Sequence, residues 1–308
     1  MKTIFGLLCL VMMSGSLPAQ ENNLRSSLEI FDITTNNRKV IMVEDAHFEA
    51  PNWTTDGKNF IINQQGKLYK ISMDGKRKEN IPIENLGKMN NDHGISFDGK
   101  TLAVSNNDAI EGTTSNGSRI YTTSILGGKP KLITPQYVSY WHGWSPDGKY
   151  LVYTAERNDN FDIYRIPSKG GKEKRLTNSP ALDDGPEYSP DGKYIYYNTV
   201  ETGSMEIWRM LANGKQKEQL TDDTYSNWFA HPSPDGKHFV FISYLEDQGK
   251  NHPAMKEVAL RLYTFEDGSI RTLCTFTGGQ GTINVPSWSQ DSRHFAFVSY
   301  QAIGNSPK

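Results

Sequence analysis

Short segments in which apolar and polar residues alternate run along the chain, and they predict β-strands. The apolar runs at residues 60–62, 150–153 and 239–242 are rich in aromatic and β-branched residues, which favour strands. A further alternating run, such as residues 163–166, follows each of them. No segment keeps a period of 3.6 residues, so we expect few helices.

A turn sequence recurs six times and divides the chain into similar units. Its fullest form is Ser-Pro-Asp-Gly-Lys, in which glycine supplies the left-handed conformation that a tight turn requires. The aspartates of the six copies are Asp56, Asp98, Asp147, Asp191, Asp235 and Asp291. In each unit the turn joins a strand A to a strand B, and shorter runs that follow fit strands C and D.

Six units of four short strands predict an all-β fold, a six-bladed β-propeller with four-stranded antiparallel blades. The last unit stops after strand B, whereas residues 28–33 and 38–43 near the start of the chain fit strands C and D. We therefore expect these N-terminal strands to complete the last blade, which closes the ring and removes an open edge.

The turn sequence, a strand C of Ile-Tyr-Arg or Ile-Trp-Arg, and a strand D of Arg-Leu-Thr together resemble the TolB-type propeller repeat of exported bacterial proteins, a PD40 or WD40-like repeat. The resemblance extends over residues 20–308, which we expect to form one propeller domain. TolB itself carries an α/β domain before its propeller. This chain has only about 30 residues at that place, and the last blade uses them.

Residues 1–19 have the features of a secretory signal peptide. Lys2 precedes an apolar run at residues 4–13, which is too short to span a membrane, and small residues lead to Ala19. We expect cleavage after Ala19 and a protein that is periplasmic or secreted. Cys9 would leave with this leader, so Cys274 would have no partner for an intramolecular disulfide.

The charge balance narrows the choice of partners. The chain has 33 Lys and Arg residues against 35 Asp and Glu residues, a formal net charge of −2. A nucleic-acid-binding protein needs a basic face, so we expect no nucleic acid partner. Apart from the leader, no apolar run approaches the length of a membrane span, and we expect a monomer.

Candidate chemistry concentrates on one face of the predicted ring. The D–A and B–C connections should open there, and two B–C connections are lengthened, at residues 106–118 and 246–258. These connections are rich in His, Asp, Glu, Arg and aromatic residues. The A–B turns of the other face are predicted to be scaffold, with each aspartate capping its own turn.

Three hypotheses compete for the function of this face. One is the docking of a periplasmic protein without catalysis. Another is the binding or cleavage of an acidic oligosaccharide, because the resemblance includes pectin-fragment lyases with a histidine-held metal. A lyase needs a base and a cation for the enolate, so His142, Tyr140 and Arg157 are the predicted catalytic residues. The other predicted ligand-binding residues are Asp92, Trp141, Glu156, Asp184, Trp228, Tyr244, His252 and Asn284.

The third hypothesis is a metal site at the channel mouth. Imidazole and carboxylate ligands suit zinc or manganese. The predicted ligands, from four consecutive blades, are His93, His142, Glu187 and His231. The sequence leaves open whether a cofactor is bound and whether the protein is an enzyme.

Overall fold

The computed structural model describes residues 23–304, and these form a six-bladed β-propeller without an α-helix, as predicted. Each of five sheets contains four antiparallel strands that follow one another in the chain. The first strands of successive blades, β3, β7, β11, β15 and β19, contact each other and form the inner wall of the ring. Within the described range no helix has the length and apolarity needed to cross a membrane.

The strand bounds follow the predicted repeat closely. In chain order the strands are β1 (Leu24–Asp32), β2 (Asn37–Glu44), β3 (Glu49–Trp53), β4 (Asn59–Gln64), β5 (Lys67–Ser72), β6 (Lys78–Asn80), β7 (Met89–Ile95), β8 (Thr101–Ala109), β9 (Asn116–Ser124), β10 (Gly127–Leu132), β11 (Ser139–Trp144), β12 (Tyr150–Arg157), β13 (Asn160–Pro167), β14 (Lys174–Arg175), β15 (Asp183–Tyr188), β16 (Tyr194–Thr199), β17 (Glu206–Leu211), β18 (Glu218–Gln219), β19 (Ser226–Pro232), β20 (His238–Tyr244), β21 (Lys256–Thr264), β22 (Ile270–Gly278) and β23 (His294–Ala302). Blades 1 to 5 are β3–β6, β7–β10, β11–β14, β15–β18 and β19–β22.

The sixth blade contains both ends of the described chain, as predicted. Its sheet has the order β2-β1-β23, and β1 pairs antiparallel with β23 from Leu24 opposite Ala302 to Asp32 opposite His294. The innermost place of this blade holds only one β-bridge, between Trp288 and Phe295. The preceding residues, 279–287, are irregular, although they stand where the other blades have an inner strand.

The repeated turns are built as the sequence indicates. In the third copy the Ser145 hydroxyl donates to Asp147 Oδ1 at 2.7 Å, and the Lys149 N–H donates to the same oxygen at 3.1 Å. The equivalent bonds recur in the other five copies. Each aspartate therefore caps its own turn.

Candidate functional site

A β-bulge near the start of every inner strand shapes the channel wall. The pairing register shifts in β3, β7, β11, β15 and β19 alike, between residues that lie two to four apart. Ala50, Gly185 and Phe229 occupy the same repeat position in these bulges and all have positive φ values, of 56°, 61° and 54°. A bulge redirects the neighbouring side chains, and here it brings residues of the D–A connections towards one another.

An imidazole–carboxylate–imidazole arrangement joins three different segments at this end of the channel. Asp184 of β15 lies between His142 of β11, with Nε2 3.3 Å from Oδ1, and His252 of the blade 5 insertion, with Nε2 3.7 Å from Oδ2. The Gly185 N–H also donates to Asp184 Oδ1 at 2.7 Å. His252 lies edge-on against the Trp228 ring, at a centroid distance of 4.5 Å. The blade 5 insertion thus covers the site with one side chain, His252.

This arrangement places groups that can carry opposite charges, the Asp184 carboxylate and the His142 imidazole, side by side within a buried site. Burial opposes ionisation of Asp184, but the hydrogen bond and charge of His142 prevail and lower the pKa of Asp184 to about 2. Burial also opposes the imidazolium of His142, yet the neighbouring carboxylates raise its pKa above the usual value. Burial lowers the pKa of His252. These shifts favour an Asp184 carboxylate, the imidazolium form of His142 and the neutral form of His252.

Asp92 of β7 is a buried residue that belongs to the same group of charged side chains. It is 6% exposed, and its backbone N–H donates to Asn90 Oδ1 at 3.0 Å. Burial raises the pKa of Asp92 to about 7, and the charges of Asp184 and Glu49 add to this while His142 opposes it. Asp92 thus loses its charge far more readily than Asp184 does.

A second pair lies deeper, where β15 and β19 meet. His231 Nδ1 lies 2.6 Å from Glu187 Oε2, and His231 Nε2 lies 2.5 Å from the carbonyl oxygen of Ile283. Burial raises the pKa of Glu187, although His231 opposes the shift. His142, the other charged neighbour of Glu187, links this pair to the Asp184 cluster.

The structure does not bring the predicted lyase residues together. The Arg157 guanidinium forms an ion pair with Glu173 at 3.0 Å and donates to the carbonyls of Tyr137 and Val138, so it holds a connection in place. Tyr140 lies on β11, opposite Thr154, at the same repeat position as Asp184. Glu156 lies at the end of β12 and is half-buried. Of the predicted catalytic residues, His142 pairs with Asp184, whereas Arg157 is engaged with Glu173.

The predicted aromatic ligand-binding residues are core residues instead. Trp141 and Trp228 are fully buried, and Tyr244 is 1% exposed with its hydroxyl donating to the Pro253 carbonyl. Trp141 packs against Gly94, where a Cβ atom would stand 2.0 Å from the ring. Asn284 accepts the Gly281 N–H at 2.6 Å and thereby closes a turn of the irregular inner segment.

The four predicted metal ligands separate into different environments. His93 is fully buried, and burial lowers its pKa to about 4. His142 faces Asp184. Of the four residues, only Glu187 and His231 pair with each other. Among residues 23–304 no group of three or more His, Cys, Asp or Glu side chains is placed to hold a metal ion. The donor set therefore does not fit zinc or manganese.

Sequence reasoning missed Glu49 and Phe229, although a signal for one of them was present. Glu49 lies seven residues before the turn aspartate of its repeat, the position of Asp184 and Tyr140 in theirs. Counting back from each turn would have placed Glu49 in the wall. Phe229, which stacks on His142 at a centroid distance of 5.9 Å, has no comparable signal, because the bulge that turns it inward depends on the fold.

Comparison with known proteins agrees with this architecture. Residues 113–264 match the family model of the TolB beta propeller domain. An uncharacterized protein of Agrobacterium fabrum is 44% identical over 279 residues, which cover 90% of this chain and 93% of the relative. The solved structure of an Agrobacterium tumefaciens protein, provisionally assigned as TolB, is 43% identical and superimposes with a TM-score of 0.86, over 91% of this chain and 99% of that one. The chain belongs to the TolB-like β-propeller family.

A more distant likeness concerns the fold alone. The oligogalacturonate lyase of Vibrio parahaemolyticus superimposes with a TM-score of 0.50 at 14% identity, over 83% of this chain and 74% of the lyase. At that identity the likeness carries no site residues across, so it leaves function to be argued from the channel mouth.

Proposed function

We propose that this protein is an exported binding propeller, which holds a basic segment of a partner protein at its channel mouth and carries out no catalysis. The proposal rests on the carboxyl groups of Asp92, Asp184 and Glu49 at the channel mouth, where burial and the charges of Asp184 and Glu49 raise the pKa of Asp92 to about 7. A lysine or arginine side chain of a partner would supply a hydrogen-bond donor and a positive charge to this group. The TolB-like family membership supports a role in protein interaction.

The acidic oligosaccharide predicted from the sequence has less support. Uronate carboxylates would enter a site in which Asp92, Asp184 and Glu49 already repel one another. Arg157, the predicted cation for an enolate, is engaged with Glu173, and the tryptophans predicted to stack on sugar rings are buried. The physical requirements of a lyase are therefore poorly met by the described residues.

Export is proposed on the leader alone. Residues 1–19, with their predicted cleavage after Ala19, lie outside the described residues, as do the first three residues of the predicted mature domain, 20–308. The apolar run at residues 4–13 and the small residues before Ala19 support a periplasmic or secreted protein. N-terminal sequencing of the protein recovered from a periplasmic extract would show Gln20 first.

The binding proposal is tested by equilibrium titration of residues 20–308 with three probe sets. These are basic peptides, acidic peptides of equal length, and oligogalacturonides. We expect only the basic peptides to bind, and Asp92→Asn to weaken them by about tenfold or more, because a buried charged contact is lost. Glu266→Gln is the matched control, since Glu266 is exposed in the turn between β21 and β22. Binding of oligogalacturonides, with no binding of basic peptides, would refute the proposal.

A further inference from the structure

His231 connects three blades through its ring and its backbone. Its Nδ1 faces Glu187 Oε2 of blade 4, and its Nε2 faces the Ile283 carbonyl of blade 6. Its own carbonyl accepts a hydrogen bond from Trp288 Nε1 at 2.8 Å. The contact with Ile283 is buried, since His231 is 3% exposed and Ile283 is 1% exposed, and the contact with Glu187 is partly buried.

The segment that His231 contacts is held by a small number of separate bonds in place of a regular strand ladder. Residues 279–287 take the innermost place of blade 6, next to the Trp288–Phe295 bridge, and the N–H groups of Val298 and Ala296 of β23 donate to the carbonyls of Thr282 and Ser287, both at 3.0 Å. The bonds to neighbouring blades include Ala50 N–H to the Gly281 carbonyl at 2.7 Å and Asn52 Nδ2 to the Pro286 carbonyl at 2.8 Å. Each such bond therefore carries a larger share of the local stability than one bond within a ladder would.

The two ring contacts of His231 cannot both persist without a shared proton. A carbonyl oxygen only accepts, so Nε2 must carry a proton to bond with Ile283. A second proton must then lie between Nδ1 and Glu187 Oε2, because otherwise a lone pair would face a carboxylate at 2.6 Å. Either an imidazolium with a carboxylate or an imidazole with a carboxylic acid satisfies this requirement.

Removal of that shared proton breaks one contact, and the charges decide which one. With one proton left, the imidazole can donate to the Glu187 carboxylate or to the neutral Ile283 carbonyl. The charged acceptor makes the stronger bond, so the proton moves to Nδ1 and the bond to Ile283 is lost. We propose that His231 and Glu187 form a proton-dependent latch, which pins the inner segment of the closing blade when protonated and releases it when deprotonated.

Few other groups compete for this role. From β11, His142 faces Glu187, and Asp184 of β15 lies beyond His142. Residues 279–288 contain no titratable side chain, and the sequence neighbours of His231 on β19 are Ala230 and Pro232. The latch is independent of the proposed binding function, because it needs no ligand.

The test is hydrogen exchange of the peptides that cover residues 279–288. The exchange rates are measured from about pH 5 to about pH 9, the range in which histidine pairs commonly titrate, and are corrected for the intrinsic pH dependence of amide exchange. We expect protection to fall about tenfold across one transition as the pH rises, the equivalent of one lost hydrogen bond. A native protein whose protection stays constant over this range would overturn the proposal.

Two variants separate the latch from a merely structural role. In Glu187→Gln the amide can donate to Nδ1 while Nε2–H still bonds to Ile283, so both contacts survive without the titrating proton. We expect that variant to keep high protection at every pH, and His231→Gln to have low protection at every pH. His238→Gln, in β20 and away from these contacts, should retain the native transition. A native-like transition in Glu187→Gln would also overturn the latch.

Discussion

At the scale of single residues, two neighbouring blade junctions offer an internal comparison. Asn227 lies between blades 4 and 5, where its amide donates to Glu206 at 2.8 Å and its oxygen accepts from Ser243. Asp183 occupies the equivalent place between blades 3 and 4, 44 residues earlier, beside Asp162. Both oxygens of Asp183 are buried without a hydrogen bond of good geometry, and the nearby hydroxyls of Thr199 and Thr177 only partly offset the cost of burying its charge. An aspartate here thus costs free energy that an asparagine would avoid.

We predict that Asp183→Asn stabilises the protein at neutral pH. Burial is the main cause that raises the pKa of Asp183 to about 6, so the folded state holds this proton more tightly than the unfolded chain does. The native protein should lose this contribution as the pH rises through about 6. The variant should gain about 1–3 kcal/mol in free energy of unfolding at pH 7.5 and little at pH 4.

Urea denaturation at both pH values measures this difference. Asp267→Asn, an exposed turn residue with a lowered pKa, serves as the control and should show no such gain. If Asp183→Asn were equally destabilising at both pH values, the carboxyl group would have to make a contact that an amide cannot replace.

Asp92 gives the proposed binding function its own pH dependence. The carboxylate must be charged to hold a cation, and its pKa is raised to about 7. We predict that affinity for a basic peptide falls about tenfold between pH 8 and pH 6, because the proton competes with the ligand. Calorimetric titration of the native protein and of Asp92→Asn checks this, since the variant should bind weakly with a flat profile.

At the scale of elements, the bulge of each inner strand decides which side chains enter the channel. Gly185 forms the bulge in β15, next to Asp184, with a φ of 61°. A Cβ atom there would lie 2.5 Å from Asn198 Oδ1 and 2.8 Å from Phe229 Cδ1. Ala50 and Phe229 show that other residues can adopt this backbone conformation, so it is the lack of space at Gly185 that requires glycine.

We predict that Gly185→Ala costs about 3 kcal/mol or more of unfolding free energy and disturbs the His142–Asp184 pair. Gly57→Ala is the matched control, because Gly57 has a φ of 71° but no atom within 4 Å of the added Cβ. It should cost about 1 kcal/mol, the backbone component alone. Equal losses in the two variants would mean that the bulge accommodates the methyl group without a clash.

At the scale of the whole molecule, the ring depends on β1, which joins the N-terminal end of the described chain to β23. Leu28 lies in the middle of β1 and is fully buried, whereas Val40 of the outer strand β2 is 53% exposed. Because one blade contains both ends, loosening β1 should weaken every blade together.

We predict that Leu28→Ala lowers the free energy of unfolding by about 2–5 kcal/mol within a single transition. Val40→Ala should change it by less than about 0.5 kcal/mol. Denaturation followed by tryptophan fluorescence and by circular dichroism tests this, since fluorescence reports on the packing around the tryptophans and circular dichroism on the strands of all blades. Two separate transitions in Leu28→Ala would show that the blades unfold independently of the closure.

The fold could be predicted because its determinants are local. Each turn aspartate bonds to residues within two positions of itself, and the alternation that marks a strand extends over only a few residues. Six similar units in the sequence therefore predict six blades. The closure of the ring could be predicted by counting strands. The last unit has no strands C and D, and the first segment of the chain has just those two strands, so together they make one complete blade.

The site was only partly predictable, because its contacts join residues that are distant in sequence. Some residues of the channel wall, such as His142, Asp92 and Asp184, were recognisable from the D–A connections. Two other predicted residues lie elsewhere, because Trp141 is buried in the core and Arg157 is paired with Glu173. The sequence pattern shows which types of side chain are present. Only the bulges, the contacts between blades and burial decide which of these side chains meet and how far the pKa of each carboxyl group is shifted.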